Sequence, residues 1–358
     1  MGEAIAELEQ KIAELVGTNF AVAVASGTDA LLLSLKALGV SIGDGVISTP
    51  FTFFSTASTI VRADAKPFFV DIDPQNFNIS IDAVLDFLEH KCHRKENGIL
   101  VHKSTGAKIK GIVAVHLFGQ MAQTSALKKI AEERGMFLLE DSAQAIGAWE
   151  KNNGLKVMAG ATGDASAFSF YPTKNLGAFG DAGMVTTKSE KLAEQIKRLR
   201  VHGSTDKDTF VEVGYLSRMD TLQAAILLAK LPMLSEWNRR RAKLAKNYID
   251  MIKSHKWGEE IELPLPMEDR NHTYHQFVIR VKKRDELSAY LKAHGVGCAV
   301  YYARPLHLQP AFSELGYKKG DFPHAEKAGA QTLALPIWPE LSEEEQQRVV
   351  EVINSFYN

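Results

Sequence analysis

A lone lysine in an apolar, glycine-studded segment gives this chain its clearest means of covalent chemistry. Lys174 lies in Phe168-Ser-Phe-Tyr-Pro-Thr-Lys-Asn-Leu-Gly-Ala-Phe-Gly-Asp-Ala-Gly183. Burying its ammonium there would be costly, so its pKa should fall, and a neutral amine can form a Schiff base with an aldehyde. The plain alternative is a loop lysine facing water. Asp141, in Glu-Asp-Ser-Ala-Gln-Ala-Ile-Gly-Ala148, could hold a pyridine nitrogen protonated or merely cap a helix. In Ser26-Gly-Thr-Asp-Ala30, hydroxyls and Asp29 can cap a helix, while Gly27 lets the backbone approach a ligand such as a phosphate. Phe51, Phe53 and Phe54 are core residues unless one of them stacks on a flat heterocycle.

The elements that must position these residues alternate between strand and helix. A helix with Ile5, Leu8, Ile12, Leu15 and Val16 on one face ends at Gly17. Phe20–Ala25 reads as a doubly buried strand running through a tight turn into a helix over Leu31–Leu35. Strands are expected up to Pro50 and at Lys66–Asp71, Gly111–Val115, Met136–Glu140 and Ala165–Phe170, with helices through Ala57 and Ile60 and over Ile81–Leu88, Thr124–Glu133 and Lys191–Leu199. Residues His90–Lys110, dense in Lys, Arg and His, read as a solvated excursion containing a hairpin near Ser104–Gly106. In open α/β sheets, residues leaving the C-terminal ends of strands face the ligand crevice, so Asp141, Ser169 and Lys174 could converge there.

Beyond the lysine, a long helical region from Gly214 passes Leu231 and continues from Leu234 toward Ile252 as a bridge to a smaller α+β unit. That unit should contain strands at His275–Val281 and Gly297–Tyr302 and helices at Asp285–Ala293 and Glu343–Phe356. The expected division is a large domain over 1–235 and a small C-terminal domain over 236–358. His272 and His275 have HxxH spacing, but on a strand they would face opposite ways, so no metal site is expected.

The chain has 358 residues, 45% of them hydrophobic, with 42 Lys and Arg against 43 Asp and Glu and a net charge of -1. This balance supplies no basic field for nucleic acid or an anionic membrane. Cys92 and Cys298 fit neither a disulfide framework nor a metal spacing, no apolar run approaches a membrane span, and the N-terminus lacks a signal sequence. The expected location is the cytoplasm.

A strand-edge carboxylate, a glycine- and hydroxyl-lined helix start, an aromatic after a strand and a lysine in an apolar turn are the parts a pyridoxal phosphate site needs. The chain also resembles the fold type I sugar aminotransferases, the DegT/DnrJ/EryC1/StrS family. The resemblance rests on Ser26-Gly-Thr-Asp-Ala30, Thr49-Pro-Phe-Thr-Phe53, Val115-His-Leu-Phe-Gly119, Glu140-Asp-Ser-Ala-Gln-Ala145, Ser169-Phe-Tyr-Pro-Thr-Lys-Asn-Leu-Gly177, Arg218-Met-Asp-Thr-Leu-Gln-Ala-Ala225 and Pro305-Leu-His-Leu-Gln-Pro310, in family order over nearly the whole chain. It implies an α/β fold with a mostly parallel central sheet flanked by helices and a smaller α+β domain.

The resemblance further implies an aminotransferase that cycles between pyridoxal and pyridoxamine phosphate. Lys174 would carry the internal aldimine and act as acid and base, Asp141 would pair with the pyridine nitrogen, and Gln144 would lie near the phenolic oxygen. Phe53 would stack on the ring, while Gly27, Thr28 and Ser169 would hold the phosphate. Tyr302 and His307 would approach the sugar nucleotide, and Arg218 would serve the neighbouring site of a homodimer. The implied partners are an amino-acid donor, with glutamate expected, and a UDP- or dTDP-linked keto sugar, with C3 favoured over C4. Three departures stand out: Leu216 replaces the family's usual phosphate-contacting Asn, Ala182 replaces a usual Gly, and the lead segment before the first helix is expected to be absent. The rival readings are a sugar dehydratase or an amino-acid aminotransferase of the same fold, and a non-catalytic sensor or scaffold. Retention of Lys174 argues against the dehydratase, whose relatives carry histidine there.

Overall fold

The computed structural model describes residues 2–264 and 267–358. It opens with α1 (Glu3–Val16), whose Ile5, Leu8, Ile12, Ala13 and Val16 are buried. This helix stops at Gly17, which takes φ 80° and returns its N–H to the Ala13 carbonyl, a left-handed cap that costs glycine little. There follow β1 (Phe20–Val24), α2 (Gly27–Ala37), β2 (Asp44–Ser48), α3 (Phe54–Arg62), β3 (Lys66–Phe69) and α4 (Ile81–Asp86). Then come β4 (Cys92–Arg94), β5 (Leu100–His102), β6 (Lys108–Val115), α5 (Thr124–Glu133) and β7 (Phe137–Asp141). The next elements are β8 (Trp149–Asn152), β9 (Leu155–Met158), β10 (Ala165–Ser169), β11 (Gly183–Thr187), α6 (Glu190–Leu199) and α7 (Thr221–Lys230).

Seven of these strands lie in the order β1-β11-β10-β7-β6-β2-β3, and β4 and β5 extend the same sheet from β6. The pairs from β10 to β3 are parallel, while β11 runs antiparallel to both β1 and β10. The C-terminal ends of β1, β10, β7, β6 and β2 therefore share one edge. Register makes the convergence specific. Asp141 sits opposite Ala167 and Val115, and Gly183 sits opposite both Val24 and Ser169. The turn after β1 is thereby delivered beside Ser169. The central strands are mostly apolar and buried because helices cover both sheet faces.

The remainder comprises α8 (Leu234–Lys253), β12 (Ile261–Glu262), β13 (Phe277–Val281), α9 (Arg284–Ala293), α10 (Pro323–Gln331), β14 (Thr332–Leu335) and α11 (Glu343–Tyr357). Its antiparallel sheet has the order β12-β13-β14. A shared aromatic cluster, with Phe51, Phe69 and Phe77 from one side and Leu306, Phe312 and Phe322 from the other, packs this part against the large sheet. Among the described residues no helix is long and apolar enough to cross a membrane, and both cysteines are free thiols.

Some sequence expectations change. The His90–Lys110 stretch is charged outside, but Cys92, Leu100 and Val101 are buried and its hairpin extends the main sheet. Residues 297–302 do not form a strand. Only Ala299 bridges Ala334, after which the chain turns toward the crevice. His272 and His275 lie before β13 rather than on it. His272 stacks on Tyr274 and accepts the Tyr274 N–H, and His275 bonds Asn175. No cluster of three or more potential metal ligands occurs among the described residues. β4, β8, β9, β11, β12 and β14 correspond to no strand expected from the sequence.

Candidate active site

At the shared C-terminal edge a cavity of about 770 Å³ is lined by strand ends and loops of the large sheet together with His275, Gln276 and residues of the 300–309 segment. The first turn of α2 forms one wall. Ser26 caps this helix by accepting the Asp29 N–H at 3.1 Å, and Ser217 donates to the Asp29 carboxylate at 2.9 Å. Gly27 has no room for a side chain, since a Cβ there would lie 2.6 Å from the Ser169 Cβ. Thr28 and Ser169 line the cavity beside it. Hydroxyls and a helix N-terminus meeting at a glycine cradle have the donor set that holds a phosphate group.

Asp141, at the end of β7, is 4% exposed. Its Oδ2 accepts the Thr56 hydroxyl at 2.8 Å and its Oδ1 accepts the Ala143 N–H at 3.3 Å. Burial pushes its pKa up, while these donors and the nearby Lys174 ammonium pull against that rise. Lys174 sits in a turn closed by its own N–H to the Tyr171 carbonyl at 2.8 Å. Burial lowers its pKa to about 8, with Asp141 opposing. A lysine so placed is partly a free amine near neutral pH, which a solvated lysine is not.

Of the three phenylalanines after β2, Phe53 and Phe54 line the cavity and Phe51 does not. Phe51 is fully buried, and Phe54 stacks on Phe312 with ring centroids 5.1 Å apart. Phe53, at the N-cap of α3, remains 56% exposed on the cavity wall, its ring 6.4 Å from that of Tyr302. Gln144 accepts the Phe118 N–H at 2.7 Å and donates to the Tyr302 hydroxyl at 3.1 Å, joining the floor of the cavity to its far wall.

Two of the expected substrate residues do not line this cavity. His307 does not line the cavity; it is 2% exposed, bonded to Glu326 at 3.1 Å and set edge-on to Phe322. Arg218 is exposed and outside the cavity of its own chain. Leu216, in place of the usual Asn, is 64% exposed. Ala182 causes no strain: it is buried in the apolar core, its φ is not positive, and its carbonyl accepts the Phe170 N–H at 2.8 Å.

Several residues in and around the site escaped the sequence reading. Thr56 holds Asp141, as described. His275 lines the cavity and donates from Nδ1 to the Asn175 Oδ1 at 3.2 Å, because the Asn175 amide group donates to Asn238 at 2.8 Å and to the Thr273 carbonyl at 3.0 Å. Burial, with the Lys174 and Arg241 cations nearby, keeps His275 neutral. On the opposite face of the sheet, Glu140 accepts His116 at 2.8 Å and the N–H groups of Gly160, Thr162 and Gly163. Although burial alone would raise the Glu140 pKa, these donors hold it below the usual value. The Glu-Asp dipeptide thus places one carboxylate on each face of the sheet. A second groove of about 750 Å³, beside Cys298, Trp338 and Leu341, is lined by apolar residues together with Glu344, Glu345 and Arg348.

Known proteins share this arrangement of elements. The chain is 45% identical over 357 residues to the pleiotropic regulatory protein of Geobacillus stearothermophilus, covering 100% of this chain and 90% of that one. It is 36% identical over 346 residues to the UDP-N-acetyl-3-dehydro-alpha-D-glucosamine 3-aminotransferase of Acidithiobacillus ferrooxidans, covering 97% and 86%. Among solved structures, a DegT DnrJ EryC1 StrS aminotransferase from Brucella abortus superposes with a TM-score of 0.90 at 34% identity, covering 100% of this chain and 91% of that one. A sequence model of the DegT/DnrJ/EryC1/StrS aminotransferase family matches residues 1–354, and the chain belongs to that family.

Proposed function

We propose that the protein moves an amino group from an amino acid, glutamate being the expected donor, to the keto group of a UDP- or dTDP-linked sugar. The cofactor is pyridoxal phosphate, and the residues present fit it. A cradle that a Cβ at Gly27 would fill adjoins a buried carboxylate, a half-exposed aromatic ring and an amine of lowered pKa. When bound, pyridoxal phosphate supplies an aldehyde and an electron sink. The apposition of Lys174 and Asp141 in one cavity carries this reading.

The roles follow from the chemistry of each group. Lys174, partly neutral near pH 8, is the amine nucleophile and the base that takes and returns a proton. Asp141 holds a proton at the ring nitrogen. Gly27, Thr28 and Ser169 bind the phosphate, Phe53 covers a ring face and Gln144 orients the ring. Tyr302, on the opposite wall, is the substrate contact this structure favours over His307. Arg218 and Leu216, exposed on one chain, would face a second copy in a homodimer. Amination at C3 is favoured over C4 by similarity to the Acidithiobacillus 3-aminotransferase. The expected compartment is the cytoplasm.

The deciding experiment offers the protein glutamate with a panel of UDP- and dTDP-linked 3-keto and 4-keto sugars and scores amine gain by mass spectrometry. Amination of a 3-keto sugar is expected, and a protein that aminates only keto acids would sink the proposal. A second reading, a regulator that keeps the fold without turnover, is favoured by the name of the Geobacillus relative. It requires that no keto sugar be aminated and that Lys174→Ala leave the regulatory effect intact.

A further inference from the structure

Asp141 does not stand alone. Thr56, on α3, is fully buried and lies 85 positions from Asp141 in the chain, yet its hydroxyl reaches the carboxylate at 2.8 Å. Ionised Asp141 can only accept, so Thr56 donates and its single proton is committed. In the 3.0 Å contact between Thr52 and Thr56, Thr52 must therefore be the donor. A directed chain results, from Thr52 at the cavity wall through Thr56 to Asp141, with the Ala143 N–H holding the other carboxylate oxygen.

The ordinary fate of a hydroxyl inside a helix is to bond the carbonyl one turn back. Thr59, on the same helix, does this to Ser55 at 2.8 Å, and Ser34 does it to Ala30 at 2.6 Å. Thr56 instead spends its hydroxyl on a side chain of another element. With one protein donor on each oxygen, the carboxylate plane is fixed and its charged form is solvated inside the protein.

We propose that Thr56, backed by Thr52, is a positioning residue that holds Asp141 ionised and aimed into the cavity for the ring nitrogen of the cofactor. The inference rests on the reading of Asp141 given above. A valine at position 56 keeps the shape and removes the donor. Losing a hydrogen bond to a charged group amounts to roughly a 10- to 100-fold change. That change falls on a ligand's ring nitrogen and leaves its other contacts untouched.

The test measures dissociation constants of the apoprotein for pyridoxal phosphate and for its 1-deaza analogue, in which C–H replaces the ring nitrogen. Wild type should prefer pyridoxal phosphate, Thr56→Val should lose roughly tenfold or more of that preference while binding the analogue as wild type does, and Thr56→Ser should retain it. An undiminished preference in Thr56→Val, or equal weakening of both ligands, overturns the proposal, since a purely structural role predicts the latter. If Thr56→Val does not fold, Thr52→Val decides: it removes the donor to Thr56, and an unchanged preference there also overturns the proposal. Asp141→Asn is the control. Should wild type show no preference and Asp141→Asn change nothing, the assignment of Asp141 to the ring nitrogen fails, and the inference fails with it.

Discussion

Gly27→Ala separates fit from stability at the proposed phosphate cradle. The added Cβ would lie 2.6 Å from the Ser169 Cβ and 3.2 Å from its Cα, where ordinary contact is 3.4–4 Å, so the two segments must part by about 1 Å. Neither yields easily. Ser169 is held in register by Gly183, and a Cβ on Gly183 would itself meet the Ser26 carbonyl carbon. Overpacking of this kind costs about 1 to 3 kcal/mol. Alanine at the first residue of a helix recovers up to about 1 kcal/mol through propensity and a less disordered unfolded chain. Net stability should therefore fall by up to about 3 kcal/mol.

Cofactor affinity should respond more strongly. Moving the helix start by about 1 Å spoils one charge-assisted hydrogen bond to a phosphate, about 1.5 to 3 kcal/mol, or roughly 10- to 100-fold in affinity. The assay is a titration of apoprotein with pyridoxal phosphate and, separately, with pyridoxal, alongside thermal melts. Gly27→Ala should weaken the phosphorylated ligand and leave pyridoxal within about twofold. Equal effects on both ligands, or none, would refute the cradle.

The remaining expectations concern charge. Modification of Lys174 in the apoprotein by a small aldehyde, trapped by reduction and counted by mass spectrometry, should rise with pH through a midpoint of about 8. Asp141→Asn should move that midpoint downward, because the carboxylate is what opposes the effect of burial; an upward shift would contradict the apposition. Away from the site, Arg200 is 2% exposed and donates to Glu9 at 2.7 Å and to the Ala23 carbonyl at 2.6 Å. Arg200→Met should cost about 3 to 5 kcal/mol in denaturant melts by stranding Glu9, and adding Glu9→Leu should restore part of it. A loss below about 1 kcal/mol in the single variant would show the pair to be idle.

Local cues made much of the site legible. Lys174, Asp141, Ser169 and Gly27 each sit at a change of pattern, where an apolar run gives way to glycine, hydroxyl or charge, and such changes mark strand ends. Their partners carry no such mark. Thr56 is one hydroxyl among several on an amphipathic helix, and Asn175 and His275 meet only when the chain after Thr273 folds over the lysine turn. An α/β alternation and the residues that emerge at the C-terminal ends of its strands could be read locally, because hydrophobic period and turn chemistry act over a few residues. Packing between distant segments set which of the three phenylalanines line the cavity, that Tyr302 lines it while His307 does not, and that Thr56 holds Asp141. Those outcomes depend on strand order and register, which bring together segments 85 or more positions apart and which no local pattern encodes.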